Sequence, residues 1–235
     1  MSKGKLYLIP NVISEDTQSS VIPSQVKEVL PSIQYFLAED IRTARRYLSS
    51  LKIYASMDVL HFEILNKETQ EHELSELMKP IHQRNNIGII SESGCPGVAD
   101  PGALAVKYAH ENSIEVIPLV GPSSLLLALM ASGLNGQQFA FQGYLPIDAK
   151  EAAQRIKELE RESKSKNQTQ IFIETPYRNN SVFEHFLKNL HPETRLSIAL
   201  GLTGQQEFIQ TRTVAQWKKK KENWPKIPAV FLFLV

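Results

Sequence analysis

With one cysteine, Cys95, in 235 residues, the chain cannot close an internal disulfide. The six histidines form no close pair and no cluster with that cysteine, so no metal site is expected. No apolar run approaches the roughly 18 residues of a membrane helix, and no membrane partner is expected. The apolar part of the start, Leu6-Tyr7-Leu8-Ile9, is too short for a signal peptide, which makes a cytoplasmic location the expectation. Charge of one sign is lacking too. Lys and Arg total 26 against 25 Asp and Glu, a net charge of +1, which leaves no global footprint for a polyanion but leaves a local basic patch open. Patterns of the form G-x-G-x-x-G, G-x-x-x-x-G-K-[ST] and G-x-S-x-G are all absent. Their absence excludes the usual dinucleotide and triphosphate cradles and the nucleophile elbow of hydrolases.

What is present is an ordinary globular composition, 42% hydrophobic and 22% charged, in a chain long enough for one large domain or two small ones. Its most unusual stretch is Ser91-Glu92-Ser93-Gly94-Cys95-Pro96-Gly97-Val98-Ala99-Asp100-Pro101-Gly102. An apolar run, residues 87–90, precedes it and a helical apolar spacing, residues 103–112, follows. Glycine allows unusual backbone angles and close approach of a ligand, while proline fixes the path. The loop therefore reads either as a stapled turn or as a rigid cradle. Asp100-Pro101 suits a helix start, with aspartate accepting from the free amides and proline at the first position.

Alternation of period-2 and period-3.6 patterns predicts strands at 5–10, 33–38, 59–65, 87–91 and 114–119. Helices are expected between them, at 41–51, 69–85 and 103–112. Pro80 should kink the second of these late. That order argues for an α/β chain with a mostly parallel first sheet, whose ligands lie beyond the carboxyl ends of the strands. Those ends are Pro10-Asn11, Glu39-Asp40, Asn66, the 91–102 loop and Val120-Gly121-Pro122. From Ser124 a run apolar nearly all round reads as a buried connecting helix. Strands are then expected at 139–141, 169–174, 196–200, 207–211 and 229–235, with helices at 148–163 and 179–190. The boundary is placed near Leu119, giving an N-terminal α/β domain, 1–118, and a C-terminal α/β domain with a mixed sheet, 119–235.

These stretches keep an order that resembles the tetrapyrrole methylase superfamily of S-adenosylmethionine-dependent enzymes. Within it they are most similar to the bacterial small-subunit ribosomal RNA 2'-O-ribose methyltransferases. The resemblance runs through Leu6 to Pro10, Ala38-Glu39-Asp40-Ile41-Arg42-Thr43, the 91–102 loop, Pro118 to Ser124, Ala131-Ser132-Gly133-Leu134, Phe141 to Pro146 and Glu174-Thr175-Pro176-Tyr177-Arg178. It implies a homodimer and a cofactor cleft between the two domains. It also implies S-adenosylmethionine contacts from Pro10, from Ser91, Gly94, Cys95, Pro96, Ala99 and Asp100, from Ser123 and Ser124, and from Leu145 and Pro146. Three places depart from the family pattern. Asn11 to Glu15 replace a Thr-Pro-Ile-Gly-Asn run, Tyr177 replaces a histidine, and Gly201-Leu202-Thr203-Gly204 stand where the ribosomal enzymes usually carry E-L-T-K.

A ribose hydroxyl is a weak nucleophile and needs a group to deprotonate or orient it. Glu39, Asp40, Glu92 and Glu174 are the catalytic candidates, each also readable as a cap or a solvated charge. Arg42, Arg45 and Arg46 share a helix face, and with Arg178 they are the candidate contacts to substrate RNA phosphates, although a solvated face reads equally well for the three. The run from Lys218 to Lys221 reads as solvated surface or a weak RNA contact. Cys95 reads as a small loop residue rather than a thiolate. Two other functions stay open: C-methylation of a tetrapyrrole, and a non-catalytic relative that binds S-adenosylmethionine or RNA.

Overall fold

The computed structural model describes residues 3–220 and 222–235, so Lys221 of the lysine run lies outside the described residues. The chain divides into two compact units, the first ending at Ser123 and the second beginning at Ser124.

Among the described residues the first unit holds five strands, β1 (Leu6–Ile9), β2 (Ile33–Ala38), β3 (His61–Ile64), β4 (Asn86–Ile90) and β5 (Val116–Pro118). They form one all-parallel sheet in the order β3-β2-β4-β1-β5. Strands buried on both faces should be apolar at successive positions, and the sheet sorts them accordingly. Phe36, Ala38 and Ile90 face a core that includes Tyr47 and Leu48 of helix α1 (Ile41–Ser50). Leu37, Ile87 and Ile89 face Ala105 and Ala109 of helix α2 (Gly102–Glu111) on the other side. Asp40 caps α1, its carboxylate accepting from Thr43 N at 2.6 Å.

The expected 69–85 helix is instead a 3-10 turn, Glu71–Glu73, and two short helices, Leu74–Leu77 and Lys79–His82. Pro80 is the physical reason. Its missing N–H and its ring cannot continue the helix, so the proline opens a new turn after Met78.

The second unit pairs β6 (Phe139–Phe141), β7 (Thr169–Glu174), β8 (Arg195–Leu200), β9 (Phe208–Thr213) and β10 (Ala229–Leu234) in the order β6-β7-β10-β8-β9. Only β6–β7 is parallel; the other three pairings are antiparallel. The mixed sheet is thus as expected. Its core is aromatic. Phe172, Phe231 and Phe233 pack with Ile156 and Leu159 of the 149–166 helix and with Val182, Phe183 and Phe186 of the 179–189 helix. A short helix, Val214–Lys218, escapes the periodicity argument because five residues are too few to show a period. A Thr213/Gln216 capping box fixes it and it buries Trp217, whose Nε1 donates to Leu196 O at 2.8 Å.

The helix from Ser124 to Ser132 differs from the buried connector that its composition suggests. Ala128 and Leu129 are buried, but Leu126 is exposed and Met130 is 80% exposed. One sheet can cover only one side of a helix. Gly133, with φ of +67°, ends it.

Candidate functional site

In the first unit the parallel register aligns Ala38, Ile90 and Ile9, the last residues of three neighbouring strands. Glu39, Ser91 and Pro10 therefore leave the sheet side by side. Asn11, 2% exposed, joins two of these exits. Its backbone N donates to Gly94 O at 2.8 Å, and its side-chain Nδ2 donates to Ser91 O at 3.0 Å and Glu92 O at 3.2 Å. Its Oδ1 accepts from Val12 N. Tyr47 reaches up from α1, and its hydroxyl donates to Pro10 O at 2.7 Å. Sequence reasoning gave neither residue a role at the site. Asn11 registers as a strand-end position on the rim and as a departure from the family pattern, with no hint of its hydrogen bonds, and Tyr47 looks like any aromatic on an apolar helix face.

The 91–102 loop carries three left-handed residues, Gly94, Gly97 and Ala99, with φ of +71°, +82° and +60°. Glycine meets that geometry without penalty. A Cβ on Gly97 would have nothing within 4 Å, so open space lies over the loop backbone there. The Ser91 hydroxyl donates inward, to Ser93 O at 3.0 Å, and Pro96 is buried. Gly121 closes the other side. A Cβ there would lie 2.0 Å from Pro10 Cβ, so only glycine lets the two segments touch.

Asp100 braces the loop and, as expected, accepts from the first amide of α2, although the N-cap position itself is taken by Pro101. Its Oδ1 accepts from Gly97 N at 2.7 Å and Gly102 N at 2.8 Å, while Oδ2 is buried without a hydrogen bond. Burial pushes the Asp100 carboxyl up, against the two amides that pull it down. Glu39 is pushed up as well, first by burial and then by the charges of Glu92 and Asp100. Glu39, Ser91, Asp100 and Gly102 line a small cavity of about 10 Å³, on the order of the space one water needs. Cys95 donates to Pro122 O at 3.4 Å, and burial with the Asp100 charge raises its thiol. A raised thiol is protonated and a poor nucleophile.

The structure thus brings Pro10, Ser91, Gly94, Cys95, Pro96 and Asp100 together, with Glu39 beside them. Ala99 and Glu92 are exposed on the same loop. Ser123 follows the Gly121-Pro122 segment and Ser124 opens the next helix, both half-buried. The arginines of α1 diverge. Arg45 lies over the Phe62 ring at 5.4 Å, Arg46 pairs with Glu15 at 3.1 Å, and Arg42 is exposed.

In the second unit the register sets Glu174, Ala229 and Leu200 in a row at one end of the sheet. The Glu174 side chain is 1% exposed. Its Oε1 accepts from Thr175 N at 2.8 Å; its Oε2 has no hydrogen bond and lies 3.4 Å from Arg178 Nη1. Arg178 Nη2 donates to Leu145 O at 3.0 Å and Pro146 O at 3.1 Å. Leu145 buries its side chain in the core. Arg178 thus ties the 145–146 segment to the 174–178 turn and leaves little of its guanidinium for an outside phosphate. Gly201 has φ of +54°, and the Glu207 carboxylate accepts from Thr203 N at 2.7 Å, which folds the 201–207 loop on itself. Among the described residues no three His, Cys, Asp or Glu side chains are placed to hold a metal ion, and no helix is long and apolar enough to cross a membrane.

No protein-family model matches the chain. It is 33% identical over 210 residues to ribosomal RNA small subunit methyltransferase I of Bacillus subtilis (strain 168), across 88% of this chain and 67% of that one. It is 30% identical over 204 residues to the protein of the same name from Synechocystis sp., across 87% and 69%. Among solved structures it matches a uroporphyrin-III-C-methyltransferase from Thermus thermophilus with a TM-score of 0.56, over 98% of this chain and 92% of that one. At 17% identity that last likeness is one of fold.

Proposed function

The chain belongs to the ribosomal RNA small subunit methyltransferase I family, and we propose that it moves the methyl group of S-adenosylmethionine to a ribose 2'-hydroxyl of small-subunit ribosomal RNA. The observation that carries this reading is the backbone cradle of residues 91–102 in a chain of that family. A nucleoside with a sulfonium and an amino-acid tail can be held in a shaped pocket by a few well-placed carbonyls and amides. The left-handed Gly94 and Gly97, the open space over Gly97 and the Pro10–Gly121 contact suit that. Leu145 and Pro146 are proposed as further cofactor contacts.

The cofactor supplies a methyl group activated on a sulfonium. The chain's own work is to align the acceptor oxygen in line with that methyl, exclude water and take a proton from the hydroxyl. Of the four carboxylates named above, Asp40 caps α1, Glu174 is held by Arg178 and Glu92 is exposed. Glu39 remains, half-buried with its carboxyl raised, and we assign it the role of proton acceptor.

The exposed Leu126 and Met130 support a homodimer that covers them, with a sedimentation mass of two chains as the expected result and one chain as the refuting one. A cytoplasmic site of action goes with the substrate.

The test has two steps. Calorimetry should show S-adenosylmethionine binding, and its absence would remove the reading. Tritiated methyl should then enter stripped small-subunit RNA and not a porphyrinogen. Label in the porphyrinogen would favour tetrapyrrole C-methylation, and label in neither would favour a non-catalytic relative.

A further inference from the structure

Next to the ion pair of buried Glu174 with half-buried Arg178 stands a side chain with no part in the core. The Tyr177 ring is 82% exposed, and Lys226 Nζ sits over it, 5.5 Å from the ring centroid. Both are held on rigid mounts. Arg178 N donates to Thr175 O at 3.0 Å and closes the turn that displays Tyr177, with Pro176 fixing its path. On the other side Asn179, fully buried, donates from Nδ2 to Pro225 O at 3.1 Å and Ile227 O at 2.7 Å. Asn180 exchanges two hydrogen bonds with the Trp224 backbone. Lys226 therefore lies between clamped residues. Two asparagines and an ion pair thus hold the backbone segments that carry an exposed aromatic ring and an exposed ammonium.

We propose that Tyr177 and Lys226 form a stacking platform for one unpaired nucleotide of the RNA substrate, the base lying on the phenol ring and its phosphate meeting the ammonium. An exposed ring on a held turn suits capture of a splayed base, since every base has a π-face and an aromatic side chain has few rotamers to lose. The adjacent cation suits the negative backbone of that nucleotide and is attracted to the ring face before RNA arrives. This proposal rests on RNA being the substrate, as argued above.

The test measures anisotropy of a fluorescein-labelled, mixed-sequence single-stranded RNA at 50 and 200 mM salt, alongside calorimetry with S-adenosylmethionine. Tyr177→Ala should weaken RNA binding roughly tenfold and Tyr177→Phe by less than about twofold, since the ring and not the hydroxyl carries the contact. Lys226→Gln should reduce the slope of log affinity against log salt by about one. All three variants should bind S-adenosylmethionine as the wild type does. A Tyr177→Ala protein that melts normally and binds RNA like the wild type would overturn the platform. So would a wild type that binds no RNA. Wild-type RNA binding without methyl transfer would instead remove the methyltransferase reading and leave the Tyr177 effect to stand.

Discussion

The 91–102 loop and the 174–178 turn both follow the last residue of an inner strand, yet they are built from opposite materials. The first is made of backbone. Its shape comes from two left-handed glycines, from Gly121 against Pro10 and from main-chain groups held by Asn11 and Asp100. The second is made of side chains, in which a buried carboxylate and a guanidinium brace the turn that displays Tyr177 and two asparagines hold the neighbouring segment that carries Lys226. The difference teaches which change each can bear. A backbone site fails when atoms are added, and a side-chain site fails when atoms are removed. It also fits the division of labour proposed here, with a shared cofactor held by main chain and a particular substrate met by side chains.

Removing atoms from the second region should have the largest effect. Glu174→Ala leaves the Arg178 guanidinium without its carboxylate and Thr175 N without its acceptor. Breaking a buried pair costs about 3–5 kcal/mol, and partial exposure of Arg178 should bring the loss to about 2–3 kcal/mol in urea unfolding. A loss under about 1 kcal/mol would mean the pair does not anchor the turn.

Adding one carbon to the first region comes next. Gly121→Ala should lower stability by about 1–3 kcal/mol, as overpacking does, and weaken S-adenosylmethionine binding at least tenfold. Unchanged cofactor affinity in a folded variant would show that the Pro10–Gly121 contact is only structural, and would break the contrast between the two regions.

Asp100→Asn should have the smallest effect on stability and sharpens the comparison through pH. The raised folded-state carboxyl binds its proton more tightly than the unfolded chain does. Its stabilising contribution is present below the unfolded value of about 3.9 and is lost as pH rises through the folded value. The amide keeps the acceptor for Gly97 N and Gly102 N and removes that loss, so the variant's stability should fall less than the wild type's as pH rises from about 4. Because the Asp100 charge also helps raise Glu39, the acid limb of kcat should move to lower pH in the variant and vanish in Glu39→Gln. A limb that does not move in either protein would remove Glu39 as the proton acceptor.

Most strands were legible because burial on one or both faces prints itself as apolar runs, as at Ile33–Ala38, where expectation and structure coincide. The glycine-proline loop was legible because its composition is local. Tyr47 and Asn11 were not. Their partners lie 37 and about 80 residues away, and no periodicity reports a hydrogen bond across that distance. Nor could α1 show which of its arginines had partners, since Phe62 and Glu15 reach it from other segments.

The sequence by itself determined where the backbone could bend unusually and which segments had to be buried, because glycine geometry and apolar spacing are properties of neighbouring residues. Only the tertiary structure decided how far each carboxylate was buried and which distant charges lay near it. Asp40 became a cap, Asp100 a brace and Glu174 half of an ion pair, each with partners within four residues, while Glu39 was left half-buried with its carboxyl raised by burial and by the charges of Glu92 and Asp100. A carboxylate's state depends on the charges, amides and solvent around it, and the burial of Glu39 and its nearness to Glu92 and Asp100 are set by strand register and packing rather than by the residues beside it in the chain.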